Sequence, residues 1–186
     1  MIGYALCGSF CTLTRSLAEM RALREEGHEI VPVMSEHVYE LDTRFWRAED
    51  LRTEVERICG RPIIHTIVGA EPLGPAMPLE ALILAPCTGN TLAKIAAGIT
   101  DSSVTMAAKA HLRRDRPTVI ALASNDSLSQ NLHNIATLLL RKQVFFVPLR
   151  QDDPEKKPYS LVADFSSIPD ALHAALEGRQ LRPLFT

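Results

Sequence analysis

ALILAPCTGNTLAKIAAGIT, residues 81–100, is the stretch on which the fold turns. Ala81 to Ala85 is a continuous apolar run stopped by Pro86, of a length that suits a strand buried on both faces. From Thr91 to Ala97 the pattern is helical, and Gly98 stands where a helix ends. Between the two lie Thr88, Gly89, Asn90 and Thr91, which crowd hydroxyls, an amide and a flexible backbone into one junction. A buried strand that runs straight into a helix is half of a βαβ unit, and such units build parallel sheets.

The same alternation extends in both directions. Residues 2–7 read as a first strand, and Leu13, Leu17, Met20 and Leu23 then repeat at helical spacing up to Gly27. Residues 29–34 read as a second strand, and 36–60 as a charged, partly helical stretch punctuated by Arg61-Pro62. Residues 63–68 read as a short strand, and 69–78, with three prolines and two glycines, as a loop. Beyond Gly98, Asp101 or Ser102 caps a helix to about Arg114, and 118–123 form another buried strand. Asp126 caps a helix whose face is Leu128, Leu132, Ile135 and Leu139, and 144–147 form the last core strand. Residues 148–166 read as a charged, Pro-rich loop or lid. Ser167-Ile168-Pro169-Asp170 has capping-box form and opens a C-terminal helix over 167–178. The expectation is one α/β domain over residues 1–186, an open parallel sheet with helices on both faces.

Composition narrows the function. With 46% hydrophobic residues the chain can bury a proper core, and a net charge of −2 gives no support to nucleic-acid or membrane-surface binding. The densest basic stretch, Arg113, Arg114 and Arg116, reads as a solvated helix end. No apolar run is long enough to span a bilayer, and the first residues lack the features of a signal peptide. Cys7, Cys11, Cys59 and Cys87 form no Cys-x-x-Cys pair and no histidine spacing completes a zinc site, so reduced thiols and no metal are expected.

Ligands of open parallel sheets bind beyond the carboxyl ends of the strands, where backbone N–H groups and helix N-termini converge. Four junctions carry small polar residues suited to this: Gly8-Ser9, Ser35, Thr88 to Thr91, and Ser124-Asn125-Asp126. Glycine lets the backbone approach a phosphate, and a hydroxyl beside it completes an anion cradle. The full Gly-x-Gly-x-x-Gly pattern and an acidic ribose partner are missing, which favours a mononucleotide over a dinucleotide. Ser35 reads equally as a helix cap or a phosphate contact. The Thr88 to Thr91 junction offers enough donors and acceptors for a flavin's ring edge.

The run from Ala85 through Pro86, Thr88, Asn90, Thr91, Lys94, Ile95, Gly98 and Ile99 to Asp101 resembles the signature of the homo-oligomeric flavin-containing decarboxylase superfamily, which includes phosphopantothenoylcysteine decarboxylases and flavin prenyltransferases. Three further stretches, 69–75, 105–113 and 151–165, are similar to a sporulation branch of it. Chains of that branch work with a separate A subunit in oxidising a dihydropyridine dicarboxylate to the aromatic pyridine. The resemblance implies a Rossmann-like fold, bound FMN, trimer-based self-assembly, and a cytoplasmic setting in the mother cell. The cofactor set it implies, together with the junctions, is Gly8, Ser9, Phe10, Ser35, Pro86, Thr88, Gly89, Asn90, Thr91, Thr105, Ser124 and Asn125. Candidates for the substrate's carboxylates are Lys109, His111, Lys156 and Lys157, and no catalytic residue or proton acceptor is assigned.

Departures from the superfamily's patterns matter too. Ser124-Asn125 stands where flavin prenyltransferases carry an Arg-Glu pair, and His65 lies upstream of the place where the decarboxylases have a histidine, separated by the 69–78 loop. Prenyl transfer and cysteinyl decarboxylation are both disfavoured. Two classes stay open: a flavin-dependent redox subunit, or a non-catalytic subunit supporting a partner that uses NAD(P).

Overall fold

The computed structural model describes residues 1–186. Five strands follow the alternation: β1 (Ile2–Leu6), β2 (Ile30–Met34), β3 (Leu82–Cys87), β4 (Thr118–Ser124) and β5 (Val144–Phe146). All residues of β1, β2 and β3 are buried, as strands covered on both faces require. β1 pairs in parallel with β2 on one side and β3 on the other, β3 pairs with β4, and β4 with β5. The chain therefore winds outward from β1 to β2, returns past β1 to β3, and winds outward the other way. Right-handed crossovers running in opposite directions put their helices on opposite faces. α1 (Leu13–Glu25) packs with α3 (Ala48–Cys59) and α8 (Ile168–Leu176), while α5 (Gly89–Ala97) packs with α6 (Ser103–Leu112) and α7 (Leu132–Leu139). The short α2 (Glu36–Glu40) and α4 (Ile67–Ala70) complete the set. The reversal between β1 and β3 opens a crevice at their carboxyl ends.

Several boundaries differ from the sequence reading, each for a local reason. Pro86 does not stop β3: the strand runs on to Cys87 across a cis Ala85–Pro86 peptide, with a register shift against β4 between Leu84 and Cys87. Proline has no N–H for the ladder, and an irregularity in the pairing is where a sheet accommodates it. Residues 63–68 give a single bridge, Ile64 to Val33, after which the Thr66 hydroxyl accepts from Gly69 N and starts α4. Ser102, not Asp101, caps α6, in a capping box with Thr105, and Asp101 pairs instead with Lys94 at 2.9 Å. Asp126 caps nothing. Its carboxylate is taken by Ser124 and Asn131, so α7 begins only at Leu132, half exposed, and buries Ile135 and Leu138. Ser167 precedes α8 without a side-chain cap, because its hydroxyl donates to Asp164 at 3.2 Å.

The largest correction concerns residues 148–166. They are not one loop, and β5 is not the last strand. β6 (Leu149–Arg150) and β7 (Leu161–Ala163) pair antiparallel, and β7 pairs antiparallel with Ala123 and Ser124 of β4. β5 covers only Thr118 to Ile120, so the carboxyl end of β4 is free to take a second neighbour. The sheet is mixed, with seven strands. Beyond β6 the chain's last residues close the edge: Leu149 N donates to Leu184 O at 2.8 Å and Thr186 N to Leu149 O at 3.0 Å.

α1 and α3 are also tied at the surface. Arg57 and Arg21 both donate to Glu54 and hold its carboxyl down from 4.5 to about 2. The folded pKa lies below the unfolded one, so this contribution is present above about pH 4.5 and is lost as pH falls through about 2. It is small, because Arg57 stands largely in water and Arg21 partly so. Urea midpoints of Glu54→Gln should decline less steeply than those of the wild type across that window. Parallel pH profiles would show that the pair contributes nothing to folding.

Candidate functional site

At the crevice two lobes, about 490 and 510 Å³, meet at Gly8, Phe10 and Thr88. Either alone has the size of a small-molecule pocket. After β1 the chain turns tightly, with Ser9 N donating to Cys7 O at 2.7 Å and Thr12 N to Ser9 O at 3.0 Å, and enters α1. A Cβ built on Gly8 would meet only Thr88 and Phe10, at 3.8 and 3.9 Å. The chain's own packing thus has no need of glycine here, and the space left clear belongs to the cleft.

Ser35 follows β2 and lines the first lobe. Its side chain does not cap α2, and its hydroxyl is buried without a partner. An unpaired buried hydroxyl costs about 1–3 kcal/mol, which a ligand acceptor at this position would recover. After β3, Thr88 caps α5, accepting from Thr91 N at 3.1 Å, and the two threonine hydroxyls bond to each other at 3.1 Å. Asn90, beside them, is exposed to the same lobe. Gly89 packs against a polar knot in which Asp126 accepts from Ser124 Oγ and from Asn131 Nδ2, the latter at 2.9 Å. That knot ties the end of β4 to the start of α7, and Gly89 lets α5 pack directly against it. Ser124, Asn125 and Gly89 all line the second lobe.

Cys7 lies in the wall of the first lobe. Its thiol donates to Pro86 O at 3.1 Å and its sulfur accepts from Thr88 N at 3.4 Å. The neighbouring Cys87, with Thr91 and Thr88, outweighs burial and brings the Cys7 thiol down to about 7. Cys87 is correspondingly raised, by its Cys7 neighbour and by burial, and its own thiol points to Thr88 O at 3.6 Å.

The second lobe has a cationic rim that sequence reasoning missed. Arg15, in the first turn of α1, and Arg44, ahead of α3, both line it. Arg44 Cζ stands 4.8 Å over the Phe45 ring. One signal was available: a cation in the first turn of a helix works against the macrodipole. Lys157 also reaches this lobe, paired with Asp152 at 2.9 Å, because β7 draws the 151–160 segment to the carboxyl end of β4.

Other expected residues are placed elsewhere. Lys156 is exposed and lines neither lobe, and Pro86 is buried in β3 behind the cleft. Thr105, Lys109 and His111 lie on α6, outside both lobes. The Thr105 hydroxyl is spent in the capping box. Lys109 borders a separate 160 Å³ recess with Arg141. His111, a candidate for a substrate carboxylate, is fully buried with Nε2 2.9 Å from Pro117 O, and burial lowers its pKa. His65 stacks on Tyr39 with centroids 3.7 Å apart, outside the cleft.

The family model described as Flavoprotein matches residues 1–170, and the chain belongs to that family. Among individual relatives it is 42% identical over 183 residues to the B subunit of dipicolinate synthase from Bacillus subtilis (strain 168), covering 98% of this chain and 92% of that protein. The crystal structure of the corresponding B subunit from Bacillus halodurans matches with a TM-score of 0.92 at 39% identity, over 100% of this chain and 95% of that one. A dodecameric FMN-dependent UbiX-like decarboxylase from Escherichia coli O157:H7 shares the fold, with a TM-score of 0.62 at 24% identity over 79% of each chain.

Proposed function

We propose that the chain is the B subunit of a dipicolinate synthase, acting with an A subunit to convert dihydrodipicolinate to dipicolinate during sporulation, with FMN held in the cleft. The observation that carries the reading is the Ser35 hydroxyl, buried, unpartnered and lining a crevice at the switch point of a Flavoprotein-family fold. The residues present fit a mononucleotide. Gly8 and Ser9 leave backbone room beside the start of α1, and the N-terminus of α5 points its first N–H groups toward a phosphate. With Thr88 and Thr91 occupied by each other, Ser35, Asn90 and Asn125 are the side chains left for the ring edge and ribityl chain. When bound, an oxidised flavin supplies a hydride acceptor.

The chain's own residues bind, orient and hold a proton. Two carboxylates on a planar ring call for two planar cations. Arg15 and Arg44 supply them at the second lobe, with Lys157 as a point charge alongside. Phe45 gives the ring an apolar face. Cys7 Sγ, its pKa lowered by the neighbouring Cys87, stands in the wall of the first lobe, where it can exchange a proton.

Titrating the purified chain with FMN, followed by visible spectrum and binding heat, tests the reading. One FMN per chain with a perturbed spectrum is expected, followed by turnover of dihydrodipicolinate once the A subunit is added. No FMN binding would move the hydride chemistry to a nicotinamide cofactor on the partner. Asn90→Asp should weaken FMN binding by about tenfold, since a charge replaces a donor beside a carbonyl-rich ring edge. Equal affinity in a folded Asn90→Asp protein would remove Asn90 from the site.

A further inference from the structure

We propose that the chain carries a second ligand site, for a divalent transition-metal ion of the zinc class, formed by Glu26, His28 and His173 at the end of the molecule opposite the cleft. α1 starts at the cleft and runs 13 residues, or about 20 Å, toward the amino ends of the strands, so its far end has no part in flavin or substrate binding.

Local backbone chemistry fixes the first two donors. Glu26 caps α1 and Gly27 takes the left-handed conformation at φ +93°. His28 N then folds back to donate to Leu23 O at 3.1 Å, and Gly27 N donates to Arg24 O at 3.0 Å. This wrap turns Glu26 and His28 toward each other, with Oε2 and Nε2 3.7 Å apart. The third donor comes from the far end of the sequence. α8 packs on α1 and brings His173 Nε2 to 3.4 Å from the same Glu26 oxygen. All three donor atoms lie within 4.8 Å of one another. Tetrahedral zinc, with bonds of about 2.0–2.1 Å, spaces its ligand atoms roughly 3.3 Å apart, so small side-chain rotations complete the fit.

The donor set agrees with the geometry. Two imidazoles and one carboxylate make the borderline N/O combination that zinc, nickel and copper take, and the partial exposure of all three residues leaves water access to the fourth position. Arg24, the nearby cation, is turned to the His28 carbonyl at 2.8 Å. Its charge and the site's openness keep the affinity in the micromolar range rather than that of an enclosed structural zinc. A bound ion would tether the C-terminal helix to α1 across some 145 residues of sequence.

The test is zinc titration of the full chain by calorimetry and thermal melting, in a Cys11→Ser background that removes the exposed thiol. One zinc per chain and a melting temperature raised by several degrees are expected. His28→Gln/His173→Gln should weaken binding by about tenfold or more and abolish the shift, while melting like its parent without metal. Cobalt in place of zinc should give the visible bands of a four-coordinate ion, absent in the double variant. Failure of the parent to bind zinc, or equal binding by parent and double variant, would overturn the proposal.

Discussion

Alanine at Gly74 should lower the melting temperature by about 10 °C or leave little folded protein. The residue sits at φ +138°, in backbone that side chains rarely adopt, and a Cβ there would stand 2.2 Å from the Ala110 carbonyl oxygen and 2.9 Å from its carbon. Those atoms belong to the backbone of α6 and cannot swing aside. Either the 71–78 segment lifts away, uncovering Leu73, or α6 moves and disturbs the Ser103 bond that anchors its start to Met34 O. Overpacking and backbone strain each cost about 1–3 kcal/mol, against a total stability of roughly 5–15 kcal/mol for a domain. A control is built into the same chain. Gly60 also has positive φ, at +67°, but a Cβ there meets nothing within 4 Å, so Gly60→Ala should cost only about 1 kcal/mol. Denaturant titration of the two variants decides the matter, and equal midpoints would mean that the loop yields without cost.

Gly89→Ala should reduce FMN affinity by more than about tenfold and lower stability as well. The added methyl would come within 2.5 Å of Ser124 Oγ, 2.6 Å of Asn131 Nδ2 and 2.7 Å of Asp126 Oδ1. Ser124 and Asn131 are both bonded to the Asp126 carboxylate, so none of the three can retreat without breaking the knot between β4 and the start of α7. α5 must shift instead, and with it Asn90 and the helix N-terminus. Calorimetry with FMN, beside melting curves taken without it, separates loss of the site from loss of the fold. A destabilised variant that still bound FMN at wild-type affinity would place the flavin away from this helix.

The five parallel strands were legible because each is a continuous apolar run between polar junctions, a pattern that covered strands need wherever they lie in the chain. What escaped depended on pairing. β6 and β7 have two and three residues, too few to show a period, and they exist because β5 leaves the end of β4 uncovered. Asp126 looks like a cap in one dimension and is a hub in three. The junction residues of the cleft could be found because they cluster along the sequence at strand ends. Arg15, Arg44 and Cys7 are single residues whose neighbours are supplied by folding, as are Glu26, His28 and His173. Thr105, Lys109 and His111 show the converse. They follow the Asn90-Thr91 junction closely in sequence, but α6 directs them to a cap, a separate recess and the interior.

Edge strands are an invitation to polymerise, since unpaired strands template the addition of more. This sheet has three, β2, β5 and β6, and the chain plugs each of them; at β5 the Gln180 side chain accepts from Phe146 N at 2.8 Å and donates to Phe146 O at 2.6 Å. At β2, Ile64 takes the Met34 N–H as an acceptor at 2.9 Å and gives its own N–H to Pro32 O at 3.0 Å, and Pro32 has no donor to offer a newcomer. At β6, Leu184 and Thr186 use both polar groups of Leu149. Copies of this protein that associate through those edges would have to displace part of their own chain first. Fibre growth thereby loses its starting point.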